Sequence, residues 1–305
     1  MIGTIRLKKC LVLVLCVSLC LCALTACTPR GTLTVNGTQI GKGIVRYFAD
    51  VVRQEQPEAD DAAAEAAVHQ KVAAYVAVNS AFSERGLQLT TGEKSEISQN
   101  VNAKWRLFGA YYTEIGVSKQ DLLNIETSQG YKDAVMTDYY AADGDEPIAE
   151  ETLRNYFSEN YIAFQSITGF LTTADNNGEP TPLSDSEKQR MQTVFGNAAS
   201  AVNAGSTIAE QAAKLENVTS NTETVVLARD NTQYPQEFFT QVTAMENGTA
   251  KAFVTGDYIF LVQRENLTDE SRNLFSAYRL NCLKTLKGEE FEKILTVWAE
   301  NYTVE

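Results

Sequence analysis

Apolar residues recur every three or four positions through most of the first half of the chain, and this spacing predicts amphipathic helices. The first such stretch runs from Pro57 to Gly86, and Gly86 is a suitable C-terminal stop. Its stripe consists of Val68, Val72, Tyr75, Val76, Asn79 and Phe82.

Two further helices follow. Thr90 and Glu93 form a capping-box signature that predicts the start of the second helix, which should end near Gly109 or Gly116. The stripe of that helix consists of Ile97, Val101, Trp105 and Phe108. Aromatic residues at helical spacing are usually buried, so we expect this stripe to be mostly core. Ser118 begins the third helix, which continues in some form to Tyr139 and Tyr140.

The second half of the chain combines short strands with helices. Residues that favour β-structure cluster at Ser166–Thr173, Glu223–Leu227 and Tyr258–Val262. Helices are predicted at about 149–160, after the capping box Ser184–Glu187, at Ile208–Leu215, and near Pro235–Met245. From Asp269 the pattern is helical again, with an interruption expected at Gly288.

This order predicts an α+β insert of about 100 residues between two helical segments. Amphipathic helices must bury their apolar faces, so the C-terminal helix should pack back on the N-terminal helices. The first and last thirds of the chain would then form one discontinuous domain.

Composition narrows the functional classes. The chain has 305 residues, a formal net charge of -13 and 44% hydrophobic residues, which is typical of a globular protein without a basic surface for nucleic acid. It contains one histidine, so catalysis by histidine and histidine-rich metal sites are not expected. That residue, His69, lies four positions after Glu65, which predicts a solvated pair on one helix.

The N-terminus has the pattern of an export signal. Arg6, Lys8 and Lys9 precede an apolar run from Cys10 to Ala26, which is too short for a typical membrane-spanning helix. Leu24–Cys27 resembles the bacterial lipobox, so we expect removal of residues 1–26 and lipidation of Cys27. An uncleaved membrane anchor is the alternative. After removal Cys282 has no partner within the chain except the lipidated Cys27, and no intrachain disulfide is expected.

Two other motifs are better explained by turns. Gly37–Gly43 is similar to a P-loop but has the wrong glycine spacing and a glycine after Lys42, so we interpret it as a turn and a helix entry. The acidic clusters Asp143–Glu146 and Asp175 with Glu179 lack the spacing of a calcium-binding EF-hand loop. We predict no metal site and no cofactor.

Several segments, in order, resemble PrsA/SurA-type extracytoplasmic foldase and chaperone lipoproteins. Each segment is short, and their order covers nearly the whole mature chain. They are Thr34–Ile40, Glu84–Thr90, Asn155–Tyr161, Gly205–Ala212, Asn247–Gly248, Gly256–Phe260 and Glu290–Trp298.

The resemblance implies a domain plan. Residues 1–26 would be the signal peptide, and 27–159 the first part of a helical chaperone domain similar to the SurA N-terminal domain. Residues 160–264 would form an inserted parvulin-like prolyl isomerase domain with a four-stranded sheet. Residues 265–305 would provide the C-terminal helix that completes the chaperone domain.

The departures from the family pattern bear on catalysis. Active parvulins have two histidines in the centre of the sheet, and the matching positions are Thr168 and Tyr258. The aromatic residue that packs on the client proline matches Phe238, with Tyr234 at a neighbouring position. Rotation about a prolyl bond has a barrier of about 18–20 kcal/mol. Without the histidines we expect weak catalysis or none.

The sequence therefore predicts a lipid-anchored bacterial protein, outside the cytoplasm, that binds unfolded exported polypeptides without ATP. A prolyl isomerase with weak or full activity is the first alternative, and a solute-binding lipoprotein of a transporter is the second. The latter class should show two lobes with many buried strands. Nucleic acid is not an expected partner, and the sequence assigns no oligomeric state.

Overall fold

The computed structural model describes residues 33–174, 178–269 and 271–305. Contacts divide the chain into two compact units. The first contains the described residues up to Pro147 together with Lys284–Glu305, and the second is Ile148–Leu283. The sequence motifs place the domain boundaries at 160 and 264, and those functional boundaries stay a prediction.

The first unit begins with a small hairpin followed by four helices. Asn36 and Gly37 both have positive φ, as a tight two-residue hairpin turn requires. The elements are β1 (Thr34–Val35), β2 (Thr38–Gln39), α1 (Lys42–Glu55), α2 (Asp61–Glu84), α3 (Thr91–Glu114) and α4 (Lys119–Tyr139). The single helix expected over Pro57–Gly86 thus begins at Asp61, after the separate helix α1.

Local side-chain caps define the starts of these helices. Thr90 and Glu93 form the predicted capping box of α3, and Ser118 and Asp121 form another at the start of α4. Asp60 caps α2 by accepting a hydrogen bond from the backbone N–H of Ala63 at 2.8 Å. Each cap satisfies backbone N–H groups that have no partner inside the helix.

The long helix α9 (Leu274–Glu300) spans the boundary, and its part from Lys284 packs in the first unit. Its Phe291 ring lies 5.9 Å from the Tyr139 ring and 6.1 Å from the Tyr140 ring, centroid to centroid. Beyond the helix, Val304 forms a β-bridge with Val35. The predicted return of the C-terminal segment to the N-terminal helices is confirmed.

The interruption expected at Gly288 is wrong, because α9 continues through it. Glycine weakens a helix by about 1 kcal/mol relative to alanine. Leu283 on one side of it and Phe291 on the other are fully buried. This packing outweighs the weak local preference.

The second unit contains α5 (Glu150–Asn160) and a four-stranded antiparallel sheet with strand order β6-β3-β8-β7. The sheet strands are β3 (Tyr161–Phe170), β6 (Val218–Ala228), β7 (Ala250–Thr255) and β8 (Tyr258–Glu265). The other elements are β4 (Thr172–Ala174), β5 (Pro180–Pro182), α6 (Asp185–Asn203), α7 (Ile208–Ala212) and α8 (Gln236–Thr243). The sheet of four strands and the α+β class are confirmed.

The strand bounds differ from those predicted. The strand expected at Ser166–Thr173 begins at Tyr161, directly after α5, and β7 has no counterpart in the sequence prediction. Residues 161–164 are all buried, so the alternation that identifies a strand is absent there.

The sheet has a separate core on each face. Helix α8 covers one face, where Ile162, Phe164, Phe238, Phe260 and Val262 cluster. Helices α6 and α7 cover the other, where Ile167, Phe195, Ile208, Ile259 and Leu261 cluster. In the described ranges no helix is long and apolar enough to cross a membrane.

Candidate functional site

Thr168 and Tyr258 lie on the two central strands of the sheet, where the isomerase histidines are expected. Thr168 on β3 pairs with Phe260 on β8, and Tyr258 pairs with Phe170. Side chains alternate along a strand, so Thr168 and Tyr258 share the face that carries Phe164 and Phe260. This is the face that helix α8 covers.

No imidazole is available on this face, because the only histidine of the chain is His69. His69 belongs to α2 in the first unit, and its Nε2 lies 4.0 Å from Glu65 Oε1. The predicted pairing with Glu65 on one helix is present.

Phe238 belongs to helix α8 and is completely buried between that helix and the sheet. Its ring centroid lies 4.4 Å from that of Tyr234, 4.8 Å from that of Phe260 and 5.1 Å from that of Phe164. In this arrangement a client proline has no access to the Phe238 ring. Its role in client binding stays a prediction, and one that requires α8 to move.

Tyr234 is half-buried, and its hydroxyl joins a polar network that the sequence did not reveal. Asn221 donates to the Tyr234 hydroxyl at 3.1 Å and approaches Ser166 Oγ at 3.4 Å. Burial raises the pKa of Tyr234, and hydrogen bonds with Ser166 and Asn221 partly oppose that shift. The network forms where β3 and β6 change register between Phe164 and Ser166, and a non-local irregularity of this kind leaves no sequence signal.

Five aromatic rings form a connected series along this face. Phe170 and Tyr258 are 42% and 37% exposed, and their ring centroids are 5.8 Å apart. Tyr258 contacts Phe260 at 5.9 Å, and Phe260 in turn contacts Tyr234 and Phe238. We call this set the aromatic series. Its exposed end is accessible and its other end is core.

The chemistry available on this face is binding rather than proton transfer. Ser166, Thr168, Asn221 and Tyr234 supply hydrogen-bonding groups, and the exposed rings can pack on apolar groups. A tyrosine whose pKa is raised above 10.0 is a poor general base at neutral pH. The arrangement suits contact with a polypeptide.

The first unit carries a second candidate surface, on helix α3. Leu107, Phe108 and Tyr111 are 69%, 54% and 41% exposed. Within α3 only Val101 is fully buried and Phe108 is exposed, so the stripe is less buried than its periodicity predicts. Helical periodicity identifies an apolar face but does not show whether another element covers it. We call Leu107, Phe108 and Tyr111 the α3 apolar face.

Tyr111 also fixes the end of α3 to α1. Its hydroxyl donates a hydrogen bond to Asp50 Oδ2 at 2.6 Å, and Gln54 donates to the same carboxylate at 2.8 Å. Asp50 is buried and also pairs with Arg53. The α3 apolar face is therefore joined to α1 through Tyr111.

A cavity of about 470 Å³ lies in the first unit, lined by side chains of α1 to α4 and α9. Its apolar lining residues include Tyr47, Phe48, Tyr75, Val78, Ile125 and Leu295. Two ion pairs also line it: Lys132 with Glu292, and Lys104 with Glu126 at 2.6 Å. A cavity with many apolar lining residues can accept a large apolar side chain.

The remaining predicted motifs have structural explanations or lie outside the described residues. Gly37 is at the turn, and Gly43, inside α1, lies against the carboxylate of Asp121, so this segment is the predicted turn and helix entry. Asp145 binds Arg85, and Glu146 accepts a hydrogen bond from Tyr139. Cys27, residues 1–26 and Asp175 lie outside the described residues.

The chain matches no protein-family model and no curated protein. Solved structures do resemble it. The foldase PrsA from Lactococcus lactis is 11% identical with a TM-score of 0.41, over 90% of this chain and 95% of that one. The foldase PrsA from Streptococcus pneumoniae is 12% identical with a TM-score of 0.39, over 74% and 80%.

A structure of a SurA-like chaperone from Campylobacter jejuni is 11% identical with a TM-score of 0.29, over 90% of this chain and 97% of that one. These three structures are of proteins named as PrsA foldases and SurA-like chaperones.

Proposed function

We propose that this protein is a lipid-anchored chaperone outside the bacterial cytoplasm, which holds unfolded exported polypeptides without ATP. The α3 apolar face is the observation that carries the proposal. Leu107 and Phe108 are 69% and 54% exposed on α3. Large exposed apolar residues that adjoin one another mark sites of interaction.

The free energy available from the α3 apolar face suits reversible binding of an unfolded polypeptide. Full burial of a leucine or phenylalanine side chain contributes about 1.5–3 kcal/mol. A few such contacts give weak, rapidly reversed binding of any apolar segment. Binding of the unfolded form alone shifts the folding equilibrium by mass action, so no nucleotide is required.

Anchoring through Cys27 is part of the same proposal. It is supported by the charged start, the apolar run and the lipobox-like Leu24–Cys27. A lipidated Cys27 would be six residues from Leu33, the first described residue. At about 3.5 Å per residue the connection spans roughly 20 Å, so the folded part would work close to the membrane.

We further propose that the sheet of the second unit has lost efficient prolyl isomerase activity. Thr168 and Tyr258 supply no imidazole, and Phe238 is buried. The alternative is a weak isomerase, and the exposed end of the aromatic series favours it, because proline packs well on aromatic rings. The solute-binding alternative lacks support: every strand pair in the described ranges is antiparallel.

Aggregation of a chemically denatured test protein checks the chaperone proposal. The full chain in detergent, at an equimolar ratio, should slow light scattering, and the double variant L107Q/F108Q should lose most of that effect. The matched control is L286Q/V297Q, which replaces two exposed apolar residues of α9. Equal protection by both double variants would refute the role of the α3 apolar face, and no protection by the wild type would refute the chaperone function.

Anchoring has its own test. Replacement of Cys27 by alanine should abolish labelling by a fatty-acid analogue and should prevent maturation at residue 26. The matched control is Cys282→Ala, which leaves the lipobox-like segment intact. Labelling that persists in Cys27→Ala would contradict lipidation at this residue.

A further inference from the structure

Two neighbouring cavities of the first unit share one lining residue, Glu84. A cavity of about 620 Å³ is lined by Arg85, Tyr139, Asp145, Trp298 and Tyr302, among others, and also by Glu84. A second cavity of about 510 Å³ is lined by Gln39, Asn79, Ser80, Ser83 and again Glu84. Glu84 is the last residue of α2. We call the two cavities together the Glu84 cleft.

Glu84 has no charge partner among the described residues. Its neighbour Arg85 already binds Asp138 at 2.7 Å and also binds Asp145. The charge of Arg85 is thus balanced by two carboxylates, which leaves Glu84 as an uncompensated negative charge in the cleft. Its side chain is exposed and accessible to a ligand.

The position of Glu84 is unfavourable for the helix that carries it. A negative charge in the last turn of a helix opposes the helix dipole and reduces helix stability. Helix α2 has no basic residue in that turn, and its C-cap Arg85 is already paired with Asp138 and Asp145. Within the described ranges the Glu84 carboxylate therefore makes no stabilising contact of its own and is free to pair with a ligand of positive charge.

The walls of the cleft suit a basic side chain. The Arg85 guanidinium carbon lies 5.7 Å from the Tyr139 ring centroid and 5.8 Å from that of Trp298. The Arg85 guanidinium therefore occupies one side of these two rings and shows that they suit a guanidinium at cation–π distance. Tyr302 adds a third aromatic side chain to the wall. Aromatic faces beside a carboxylate attract guanidinium or ammonium groups.

The second cavity suits an extended backbone. Its lining includes the amide side chains of Gln39 and Asn79 and the hydroxyl groups of Ser80 and Ser83. These groups donate to and accept from peptide groups. An extended segment that crosses both cavities would place one side chain beside Glu84.

We infer that the Glu84 cleft binds an extended segment of an unfolded polypeptide and selects an arginine or lysine side chain through Glu84. This inference rests on the proposed chaperone function and adds a charge preference to it. The net charge of -13 attracts basic segments toward the surface in the same direction.

Two labelled peptides of identical apolar sequence test the preference. One has a central arginine, and the other has citrulline, which has nearly the same shape and no charge. Fluorescence anisotropy with the full chain in detergent should show about two- to fivefold tighter binding of the arginine peptide. The difference should shrink as salt is raised to about 0.5 M, because exposed charges are screened.

Substitutions at Glu84 test whether this residue causes the preference for the arginine peptide. Glu84→Gln should remove the difference between the peptides and keep the affinity for the citrulline peptide, which shows that the variant is folded. Glu84→Lys should make the arginine peptide the weaker binder. The matched control is Glu114→Gln, the last residue of α3, which removes the same charge from a helix end outside both cavities. The arginine peptide should also change the fluorescence of Trp298 in a Trp105→Phe background, in which Trp298 is the only tryptophan.

Equal binding of the two peptides by the wild type would overturn the inference, as would an arginine preference that survives in Glu84→Gln. The aggregation assay separates this failure from failure of the chaperone proposal. Protection that depends on Leu107 and Phe108 without any arginine preference would refute only the cleft. An arginine preference at Glu84 without protection from aggregation would refute only the chaperone function.

Discussion

The hydroxyl of Tyr140 donates a hydrogen bond to Glu290 Oε1 at 3.0 Å, although 150 residues separate them along the chain. Tyr140 follows α4 and its side chain is completely buried, whereas Glu290 is in α9. Lys287 donates to the same carboxylate at 2.7 Å. This contact joins the two halves of the discontinuous first unit.

Replacement of Tyr140 by phenylalanine should destabilise the first unit by about 1 kcal/mol, because the ring remains and one hydrogen bond is lost. Urea unfolding followed by circular dichroism measures the change. Tyr302→Phe is the control, since no hydrogen bond of the Tyr302 hydroxyl is found among the described residues. Equal effects of the two substitutions would show that the Tyr140 hydroxyl contributes little.

Replacement of Phe238 by alanine should destabilise the second unit by about 3–5 kcal/mol, because a completely buried phenylalanine leaves a cavity. Any loss of isomerase activity in that variant would then reflect unfolding. Tyr258→Ala is the better test of catalysis, since Tyr258 is 37% exposed and its loss leaves the core intact.

A coupled prolyl-peptide assay with the wild type and Tyr258→Ala decides whether the second unit is an inactive or a weak prolyl isomerase. We expect both to give the uncatalysed rate. A wild-type rate clearly above it, which Tyr258→Ala lowers, would establish the weak isomerase.

Alkaline solution should weaken the fold. Burial, followed by smaller charge effects, raises the pKa of Tyr47 and of Tyr161 from 10.0 to about 12. Between these values the unfolded chain loses protons that the folded chain retains, so the free energy of unfolding falls as pH rises from about 10 to 12. Below pH 10 this contribution to stability is complete.

Urea unfolding at about pH 8 and about pH 11 measures this loss. Tyr161→Phe should lose less stability between the two pH values than the wild type does, and Tyr258→Phe, which changes an exposed ring, should behave like the wild type. An equal loss in wild type and Tyr161→Phe would contradict the assignment to Tyr161.

Replacement of Gly43 by alanine should destabilise the first unit by about 1–3 kcal/mol. A Cβ atom at Gly43 falls inside van der Waals contact with the carboxylate of Asp121, which forms the capping box of α4. The control is Gly92→Ala in the first turn of α3, where the nearest atom is 3.8 Å away and alanine is favoured in a helix. A neutral Gly43→Ala would show that α1 and α4 can separate without loss.

The features that sequence predicted well are local ones. The capping boxes at Thr90 and Ser184 depend on residues three apart, and both are present in the structure. The α+β class and the return of α9 followed from the order of helical and strand patterns. Such signals need no knowledge of distant partners.

The features that sequence missed depend on distant partners. Strand β7 is identified only by its pairing with β8, and α9 continues through Gly288 because residues on either side are buried. Exposure of Phe108 and the contact of Asn221 with Tyr234 likewise depend on what the fold brings near. For the candidate site, the sequence located the sheet positions Thr168 and Tyr258, but not the burial of Phe238.

The bridge between Val35 and Val304 has a consequence for the order of assembly. Thr34 exchanges backbone hydrogen bonds with Glu305 in both directions. Synthesis proceeds from the N-terminus, so β1 cannot form its hydrogen bonds with residues 303–305 until the end of the chain has been made. The second unit can complete itself earlier, because its residues are contiguous. Until residues 284–305 have been synthesised, the first unit is therefore incomplete and its helices expose apolar faces. In that state the protein resembles the unfolded polypeptides that we propose it binds.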